Sequence, residues 1–362
     1  MHSKNDNIIK IALADTGREF RGGQRQSFNL AVGLKSEGLE VLALCSPGSP
    51  LIDRLKAEKI PVNPVEYNAL KLPFSSHNLA KQLVREAVNI FQASDSHSHT
   101  IGAFIKRYCP GIKLVVTVRT CFGKSSPLKN MFKNSNNVVD RFVAISSAVK
   151  HNLLNMGIDR ERINIIHSSY DNHLFNKRGR TKSDVLRIGT ACSLETGKGV
   201  YTLLEALKLA RELNFNFKLT IAGIGPERDS FEQVVQEYGL EDNVSFCGFV
   251  EDMPGFYRNL DIYVLASRSE GLGSSLVEAG ACGAVLVSAA SGGTADVIDD
   301  KISGRIFMPG DAVELSEIIT ELSQSADLRE NLKKEFDKKL KQFDKDNMVR
   351  QYIKIYREIL ES

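Results

Sequence analysis

The sequence SRSEGLGSSLVEAGACGAVLVSAASGGTADVI, residues 267–298, joins a strand end, a glycine-rich loop, two carboxylates and a helix start within one stretch. The apolar run LDIYVLAS before it (260–267) is too short for a buried helix and predicts a buried strand. The two glycines of EGLGSS let the backbone approach a ligand closely, and Ser274 or Ser275 is placed to cap the next helix. That helix is predicted to end near Cys282.

Two carboxylates lie near this predicted helix start. Glu270 is in the loop, and Glu278 lies one turn into the helix. A helix N-terminus exposes unpaired amides and a partial positive charge, which favour a phosphate or a sugar oxygen. Carboxylates accept hydrogen bonds from the paired hydroxyls of a sugar or a ribose. The stretch therefore predicts a sugar or nucleotide site, although the same residues taken alone also fit an ordinary connection with two surface glutamates.

The beginning of the chain repeats the order of strand, glycine loop, helix and strand. NIIKIALAD (7–15) is a predicted strand, Gly22-Gly23 opens a helix that ends at Gly38, and LEVLALC (39–45) is the next strand. This is a βαβ unit, which implies a parallel sheet with right-handed crossovers. A length of 362 residues fits two such domains. The predicted fold class is therefore α/β.

The order strand, EGLGSSLVEAGACG, strand, SGGTADVI is similar to the donor-site signature of retaining glycosyltransferases of family 4, the glycosyl transferases group 1. The Gly-Gly loop that opens the first helix resembles the N-terminal domain of the same family. The resemblance implies the GT-B fold, in which two Rossmann-like, doubly wound parallel-sheet domains face each other across a cleft. It implies an acceptor domain over 1–169 with the helix 345–362 packing back on it, a linker at 170–183 and a donor domain at 184–344.

The resemblance also implies roles for single residues. Glu270 would face the transferred sugar, Glu278 would hold the ribose, and Lys198 would grip the diphosphate. Arg119 stands where most relatives carry a histidine that faces the donor sugar, so we expect it to supply a permanent positive charge to the reacting region. We expect Lys198, Glu270 and Arg119 to be catalytic. The other residues implied at the donor are Gly22, Gly23, Gly223, Gly225, Phe249, Val250, Gly271, Leu272, Gly273, Ser274 and Ser275.

One position departs from the family pattern. An arginine typically stands five residues before the lysine, and here that place is Ser193. Either another basic residue, such as Arg119 or Arg25, supplies the missing charge, or transfer is weak. This departure makes a non-catalytic sugar-nucleotide-binding protein an alternative, as does an epimerase or hydrolase on the same fold.

The acceptor side is predicted from residues at strand ends in the first half. Candidates are Arg25, His97, His99 and Thr120. The two histidines stand two positions apart at a strand-to-helix turn, and capping or packing explains them as well as an acceptor contact does. Lysines in the segment SSPLKNMFKNSNN (125–137) and just before it are expected on an acceptor-side loop.

Charge is distributed unevenly along the chain. Residues 1–180 hold 26 Lys and Arg against 14 Asp and Glu, whereas residues 181–362 hold 21 against 30. The basic half favours contact with an anionic membrane face or a phosphorylated acceptor; simple solvation is the alternative. Nucleic acid is not expected, because no recognition motif or aromatic platform is present.

The remaining composition indicates a chain that stays in the cytoplasm, with a peripheral position on the inner membrane face. The start MHSKNDN lacks the apolar core of a signal peptide, and no apolar run is long enough to span a membrane. Six cysteines are scattered singly, without zinc-type spacing, and are expected to be free and buried. No Asp-x-Asp metal motif is apparent.

The predicted function is metal-independent, hexosyltransferase-like and retaining transfer from a nucleotide-diphosphate sugar. That sugar nucleotide is a co-substrate, and no cofactor is expected. The acceptor would be a hydroxyl of a glycan or of a lipid-linked saccharide, as in cell-envelope polysaccharide or lipopolysaccharide synthesis.

Overall fold

The computed structural model describes residues 9–120, 137–179, 183, 185–211 and 216–362. The chain divides into two compact units, the first formed by residues 1–169 and 345–362 and the second by residues 170–344. Each unit contains one sheet in which all described strands are parallel. The predicted α/β class with two parallel-sheet domains is therefore confirmed.

The first unit has a seven-stranded sheet. Its described strands are β1 (Lys10–Asp15), β2 (Glu40–Cys45), β3 (Val62–Pro64), β4 (Ile90–Ala93), β5 (Lys113–Val118), β6 (Arg141–Ala144) and β7 (Ile163–Ile165). The helices described between them are α1 (Gly22–Ser36), α2 (Pro50–Ala57), α3 (Leu72–Arg85), α4 (Ser96–Tyr108) and α5 (Ser147–Asn155). The strand order is β3-β2-β1-β4-β5-β6-β7, so the direction of winding reverses between β1 and β4. Ligands of open α/β sheets bind at such a switch point.

Side chains join the loops at this switch point. Asp95, after β4, caps α4 by accepting hydrogen bonds from the amides of His97 and Ser98. Its carboxylate also accepts from the Thr16 amide at 2.6 Å and from the Thr16 hydroxyl at 2.8 Å. The loop after β1 is thereby fixed to the start of α4, which shapes the carboxyl edge of the sheet.

The second unit has a six-stranded sheet. Its strands are β8 (Leu186–Ala191), β9 (Phe217–Ala222), β10 (Val244–Gly248), β11 (Ile262–Leu265), β12 (Val285–Ala289) and β13 (Arg305–Phe307). Its described helices are α6 (Val200–Arg211), α7 (Arg228–Glu237), α8 (Met253–Arg258), α9 (Ser274–Ala281), α10 (Thr294–Val297), α11 (Ala312–Gln324) and α12 (Ala326–Leu340). The order β10-β9-β8-β11-β12-β13 makes β8 and β11 neighbours. The loops that follow these two strands therefore meet at one edge.

The segment predicted as a linker is hydrogen-bonded within the second unit over residues 170–179. The Tyr170 amide donates to the carbonyl of Phe343 at 3.1 Å. The guanidinium of Arg258 donates to the carbonyls of Leu174 and Asn176. These bonds give the beginning of the segment a defined course along the second unit.

The last helix, α13 (Lys345–Glu361), belongs to the core of the first unit. Gly33 of α1 makes room for it, since a Cβ at Gly33 would lie 2.3 Å from a methyl group of Val349. The buried side of α13 also carries Tyr352, Ile355 and Tyr356.

The structure bears on two further expectations, one about membrane-spanning helices and one about the cysteines. Among the described residues, no helix is long and apolar enough to cross a membrane. Cys45 and Cys282 are buried free thiols, but Cys247 is exposed, which corrects the expectation that the cysteines are all buried. Cys247 lies in β10 at the edge of its sheet, where alternate side chains face solvent.

Candidate functional site

Four loops of the second unit pack closely at the carboxyl edge of its sheet. Gly292, after β12, has φ of +55°, and a Cβ there would lie 1.6 Å from the carbonyl oxygen of Glu270. Gly223, after β9, has φ of +139°, and a Cβ there would lie 1.8 Å from the carbonyl oxygen of Cys192. A Cβ on Gly225 would likewise clash with the backbone of Leu194. Glycine is therefore required at these positions because any side chain would clash with the backbone of a neighbouring loop. This requirement is independent of any contact with a nucleotide.

An ion pair lies at the centre of these loops. Lys198 Nζ donates to Glu270 Oε1 at 3.0 Å, and the two side chains are 30% and 19% exposed. Lys198 ends a short 3₁₀ helix after β8, and Glu270 is in the loop after β11. The structure therefore brings together two residues that the sequence proposed separately and that stand 72 positions apart.

Cys192 lies beside this pair. Burial raises the pKa of its thiol to about 11, Lys198 lowers it and Glu270 raises it. The thiol consequently stays protonated near neutral pH, which disfavours a role as a nucleophile.

The start of α9 differs from the expectation that a serine caps it. The N-cap residue is Gly273, with φ of +83°, and no described side chain caps the helix. The side chain of Ser275 instead bonds to the buried phenol of Tyr263, whose pKa is raised mainly by burial. Ser274 is half-buried and Leu272 is buried. Helix amides that no side chain caps are suited to bind an anion.

Glu278 is half-buried one turn into α9. The hydroxyl of Tyr257 lies 3.5 Å from one of its carboxylate oxygens. Tyr257 is itself buried, with its ring 5.4 Å from that of Tyr263. A carboxylate supported in this way can accept hydrogen bonds from a ligand without first giving up much side-chain freedom.

Three further features lie in the loops at the edge of the second unit. Phe249, just after β10, is 73% exposed, and Val250 beside it is half-buried. Ser193 is half-buried, and its carbonyl accepts the Glu195 amide at 2.9 Å. Sequence reasoning missed Arg268, an exposed cation whose amide donates to Gly197 in the loop that contains Lys198. Its position in the loop that follows β11, at the carboxyl end of a strand, was the signal that could have found it.

In the first unit, Arg119 lies directly after β5. It is half-buried, and its Nε is buried without a hydrogen-bond partner among the described residues. Its Cδ lies 3.8 Å from the place that a Cβ on Gly23 would take, whereas a Cβ on Gly22 would meet open space. The Gly-Gly start of α1 and Arg119 therefore lie next to each other, with Arg25 half-buried in the first turn of α1.

The remaining acceptor-side candidates differ in their surroundings. His97 is exposed and stacks on Tyr67 with 4.1 Å between ring centroids. His99 is buried with its ring edge toward Phe142, so packing is the better explanation for this residue. Thr120 is exposed after Arg119. The lysine-rich loop predicted on the acceptor side, with Lys124, Lys129 and Lys133, lies outside the described residues.

Over the ranges that the structure describes, no three His, Cys, Asp or Glu side chains gather as they would around an ion. At the carboxyl edge of the second sheet, the charges of Lys198 and Glu270 are paired with each other.

Comparison with known proteins identifies the family. The family described as glycosyl transferases group 1 matches residues 175–339, and the family described as glycosyltransferase family 4 matches residues 20–173. N-acetyl-alpha-D-glucosaminyl L-malate synthase of Bacillus anthracis is 24% identical over 316 residues, which cover 82% of each protein. Amylovoran biosynthesis glycosyltransferase AmsK of Erwinia amylovora is 30% identical over 189 residues, which span 50% of this chain and only 46% of that relative.

Solved structures show the same architecture. The crystal structure of Anabaena Alr3699/HepE in complex with UDP and glucose aligns with a TM-score of 0.83 at 19% identity, over 97% of this chain and 100% of that one. The two family matches together extend from residue 20 to residue 339, across both units. The chain therefore belongs to the group 1 glycosyltransferases of family 4, and its two parallel-sheet domains have the GT-B fold.

Proposed function

We propose that this protein is a retaining hexosyltransferase that moves a sugar from a nucleotide-diphosphate sugar to a hydroxyl of a glycan or lipid-linked acceptor. The observation that carries the proposal is the Lys198–Glu270 ion pair in the loops beside the start of α9. A fixed cation and helix amides that no side chain caps are the groups that would stabilise a departing diphosphate.

The proposed mechanism of sugar transfer depends on where negative charge develops during the reaction. As the bond between the sugar C1 and the phosphate oxygen breaks, negative charge grows on that oxygen. Lys198 and the first amides of α9 would stabilise the charge more strongly than they stabilise the bound donor. The acceptor hydroxyl would bond to C1 on the same face and pass its proton to the leaving phosphate. Glu270 would orient Lys198 before the reaction and accept a hydrogen bond from the sugar.

We propose a uridine diphosphate sugar as donor, with Glu278 on the ribose. Two observations support this choice. The similar Anabaena structure holds UDP and glucose, and Glu278 is half-buried on the same helix whose amides would meet the diphosphate. We further propose that transfer needs no divalent ion, because Lys198 would supply the positive charge. Activity that survives a chelator would support this part, and loss of activity that Mg²⁺ restores would refute it.

The acceptor is proposed to be a growing envelope polysaccharide or lipopolysaccharide carried on a lipid at the cytoplasmic membrane face. The Erwinia relative is named for amylovoran biosynthesis, which supports the first part. A surface of the first unit supports the second. Leu70, which is 95% exposed, and exposed Lys71 precede α3. Phe74, which is 72% exposed, lies in the first turn of α3, and Lys81 and Arg85 are exposed farther along the same helix. Apolar side chains among cations are suited to an anionic bilayer.

The donor and the reaction are tested together. Thermal unfolding of the wild type with UDP, GDP, ADP and CMP, alone and as sugar conjugates, should show a higher Tm with one base. Transfer is then measured as release of nucleoside diphosphate with and without a lipid-linked saccharide. Binding without turnover would favour the non-catalytic alternative, whereas release that no acceptor accelerates would favour a hydrolase. An altered free sugar nucleotide would favour an epimerase.

The membrane contact has its own test. The wild type should sediment with phosphatidylglycerol vesicles at low salt and not with phosphatidylcholine vesicles, because charge dominates. Phe74→Ser should weaken sedimentation. Ile302→Ser is the matched control, because Ile302 is an exposed apolar residue of the second unit. Equal weakening by both changes, or no sedimentation of the wild type, would refute the proposed surface.

A further inference from the structure

Tyr263 is a buried tyrosine of the second unit whose hydroxyl the proposed mechanism does not use. It is the second residue of β11, and its side chain is fully buried. Ile262 and Val264, on either side of it, belong to the hydrophobic core on one face of the sheet, so Tyr263 points to the opposite face. There its ring meets that of Tyr257 edge to face, with 5.4 Å between the centroids. Phenylalanine would fill the same volume, so the hydroxyl requires an explanation of its own.

The Tyr263 hydroxyl lies where two neighbouring strands separate. The pairing of β8 with β11 ends at Gly189 and Tyr263, although each strand continues for two more residues. The hydroxyl donates to the carbonyl of Ala191, the last residue of β8, at 3.4 Å. A side-chain bond therefore joins the two strands beyond the end of their backbone pairing, at the base of the loops that carry Lys198 and Glu270.

The same hydroxyl is bonded to the first turn of α9. Its second partner is the side chain of Ser275, the second residue of that helix. Burial raises the pKa of the phenol, so the group keeps its single proton at neutral pH. A carbonyl can only accept a hydrogen bond, so this proton is donated to Ala191, and the Ser275 hydroxyl donates to the phenol oxygen. One oxygen atom thus connects β11 to the end of β8 and to the start of α9.

We propose that Tyr263 is a positioning residue for the diphosphate of the donor, because it holds the first turn of α9 against the end of β8. The inference rests on the proposed function, in which the amides of this turn bind the diphosphate. The N-cap of α9 is Gly273, and no described side chain caps the helix, so its first amides can bind an anion. Amides stabilise an anion best when their position is fixed before the anion arrives. The two bonds of the Tyr263 hydroxyl supply that restraint.

Binding of UDP and of uridine to the whole protein tests the inference, because the two ligands differ only in the diphosphate. Tyr263→Phe should weaken UDP about tenfold, as expected when hydrogen bonds that fix a phosphate-binding turn are lost, and should leave the Kd of uridine unchanged. Ser275→Ala should weaken UDP by a similar factor, and combining it with Tyr263→Phe should add little. An unchanged Kd of UDP in Tyr263→Phe, equal weakening of both ligands, or independent losses from the two changes would overturn the inference.

Tyr257→Phe is the matched control. Tyr257 is buried beside Tyr263, but its hydroxyl lies 3.5 Å from a carboxylate oxygen of Glu278, the residue proposed to hold the ribose. This change should weaken UDP and uridine by the same factor, because both ligands contain the ribose. A loss restricted to UDP would show that the selectivity does not come from the Tyr263 hydrogen bonds, and the inference would be wrong.

A second control separates positioning from stability. Val285 is buried at the amino end of β12, on the edge of the parallel sheet opposite the candidate site. Val285→Ala should lower the Tm and leave the Kd of UDP unchanged well below that Tm. Weakening equal to that of Tyr263→Phe would assign the effect to lost stability and refute the positioning role. If the wild type does not bind UDP, the proposed donor and this inference both fail, whereas normal binding of UDP by Tyr263→Phe refutes the positioning role alone.

Discussion

Replacing Lys198 with alanine tests the centre of the proposed chemistry. Lys198 Nζ is 3.0 Å from Glu270 Oε1 in a partly buried setting. At an effective dielectric constant of about 20, a unit charge about 4 Å from a developing phosphate charge contributes about 4 kcal/mol. Glu270 cancels part of this field. We therefore expect Lys198→Ala to raise the activation free energy by about 2 to 3 kcal/mol, which lowers kcat by about 30- to 160-fold.

The assay is the initial rate of nucleoside diphosphate release at saturating donor and acceptor, with the donor Kd measured separately by calorimetry. Lys208→Ala is the matched control. Lys208 lies on α6 of the same unit with its ammonium 4.4 Å from the ring centroid of Tyr238, and its loss should leave kcat unchanged. If Lys198→Ala keeps kcat within about threefold of the wild type while binding donor normally, the lysine does not stabilise the leaving group and the mechanism is wrong.

Two further substitutions and one labelling experiment have defined outcomes. Glu278→Ala should abolish the rise in Tm that the preferred nucleoside diphosphate produces, and an unchanged rise would contradict the ribose contact. Gly292→Ala would force a Cβ to 1.6 Å from the carbonyl oxygen of Glu270 at a positive φ; we expect a loss of about 2 kcal/mol or more in urea unfolding, and unaltered stability would refute this close packing. Burial raises the pKa of the Cys192 thiol from 9.0 to about 11. The folded protein therefore holds this proton more tightly than the unfolded chain, and the resulting stability is fully present below pH 9 and is lost as the pH rises toward 11. Mass spectrometry after iodoacetamide treatment at about pH 7.5 should find exposed Cys247 alkylated before Cys192, and the reverse order would contradict the protected thiol.

The architecture could be predicted because local patterns repeat along the chain. Short apolar runs, glycine loops and amphipathic segments identify βαβ units one at a time, and each unit implies parallel pairing. Element ends were predicted less well. The start of α3 (Leu72–Arg85), for example, has Lys71 as its N-cap instead of Ser, Thr, Asp or Asn, and Pro73 occupies its first turn, where a missing amide hydrogen costs nothing.

The components of the candidate site could be predicted, but their pairing could not. Lys198 and Glu270 each follow a strand, yet their contact depends on β8 and β11 being neighbours in a sheet whose order no local pattern reveals. The cap of α9 was predicted wrongly because Gly273, with a positive φ, takes the position expected for a serine. Gly223 looked like a ligand-binding glycine, and its packing against Cys192 became visible only once two loops were placed together.

The discontinuous first unit has a consequence for synthesis on the ribosome. Residues 170–344 form one uninterrupted unit, whereas the core of the first unit needs Tyr352, Ile355 and Tyr356 from α13. The emerging first unit must therefore wait with a gap in its core while the whole second unit is translated. At about 5 to 20 residues per second, this delay lasts roughly 10 to 40 seconds. During that interval the apolar side of α1 that later packs on α13 is available to chaperones, so the part of the protein made first is the last to complete its fold.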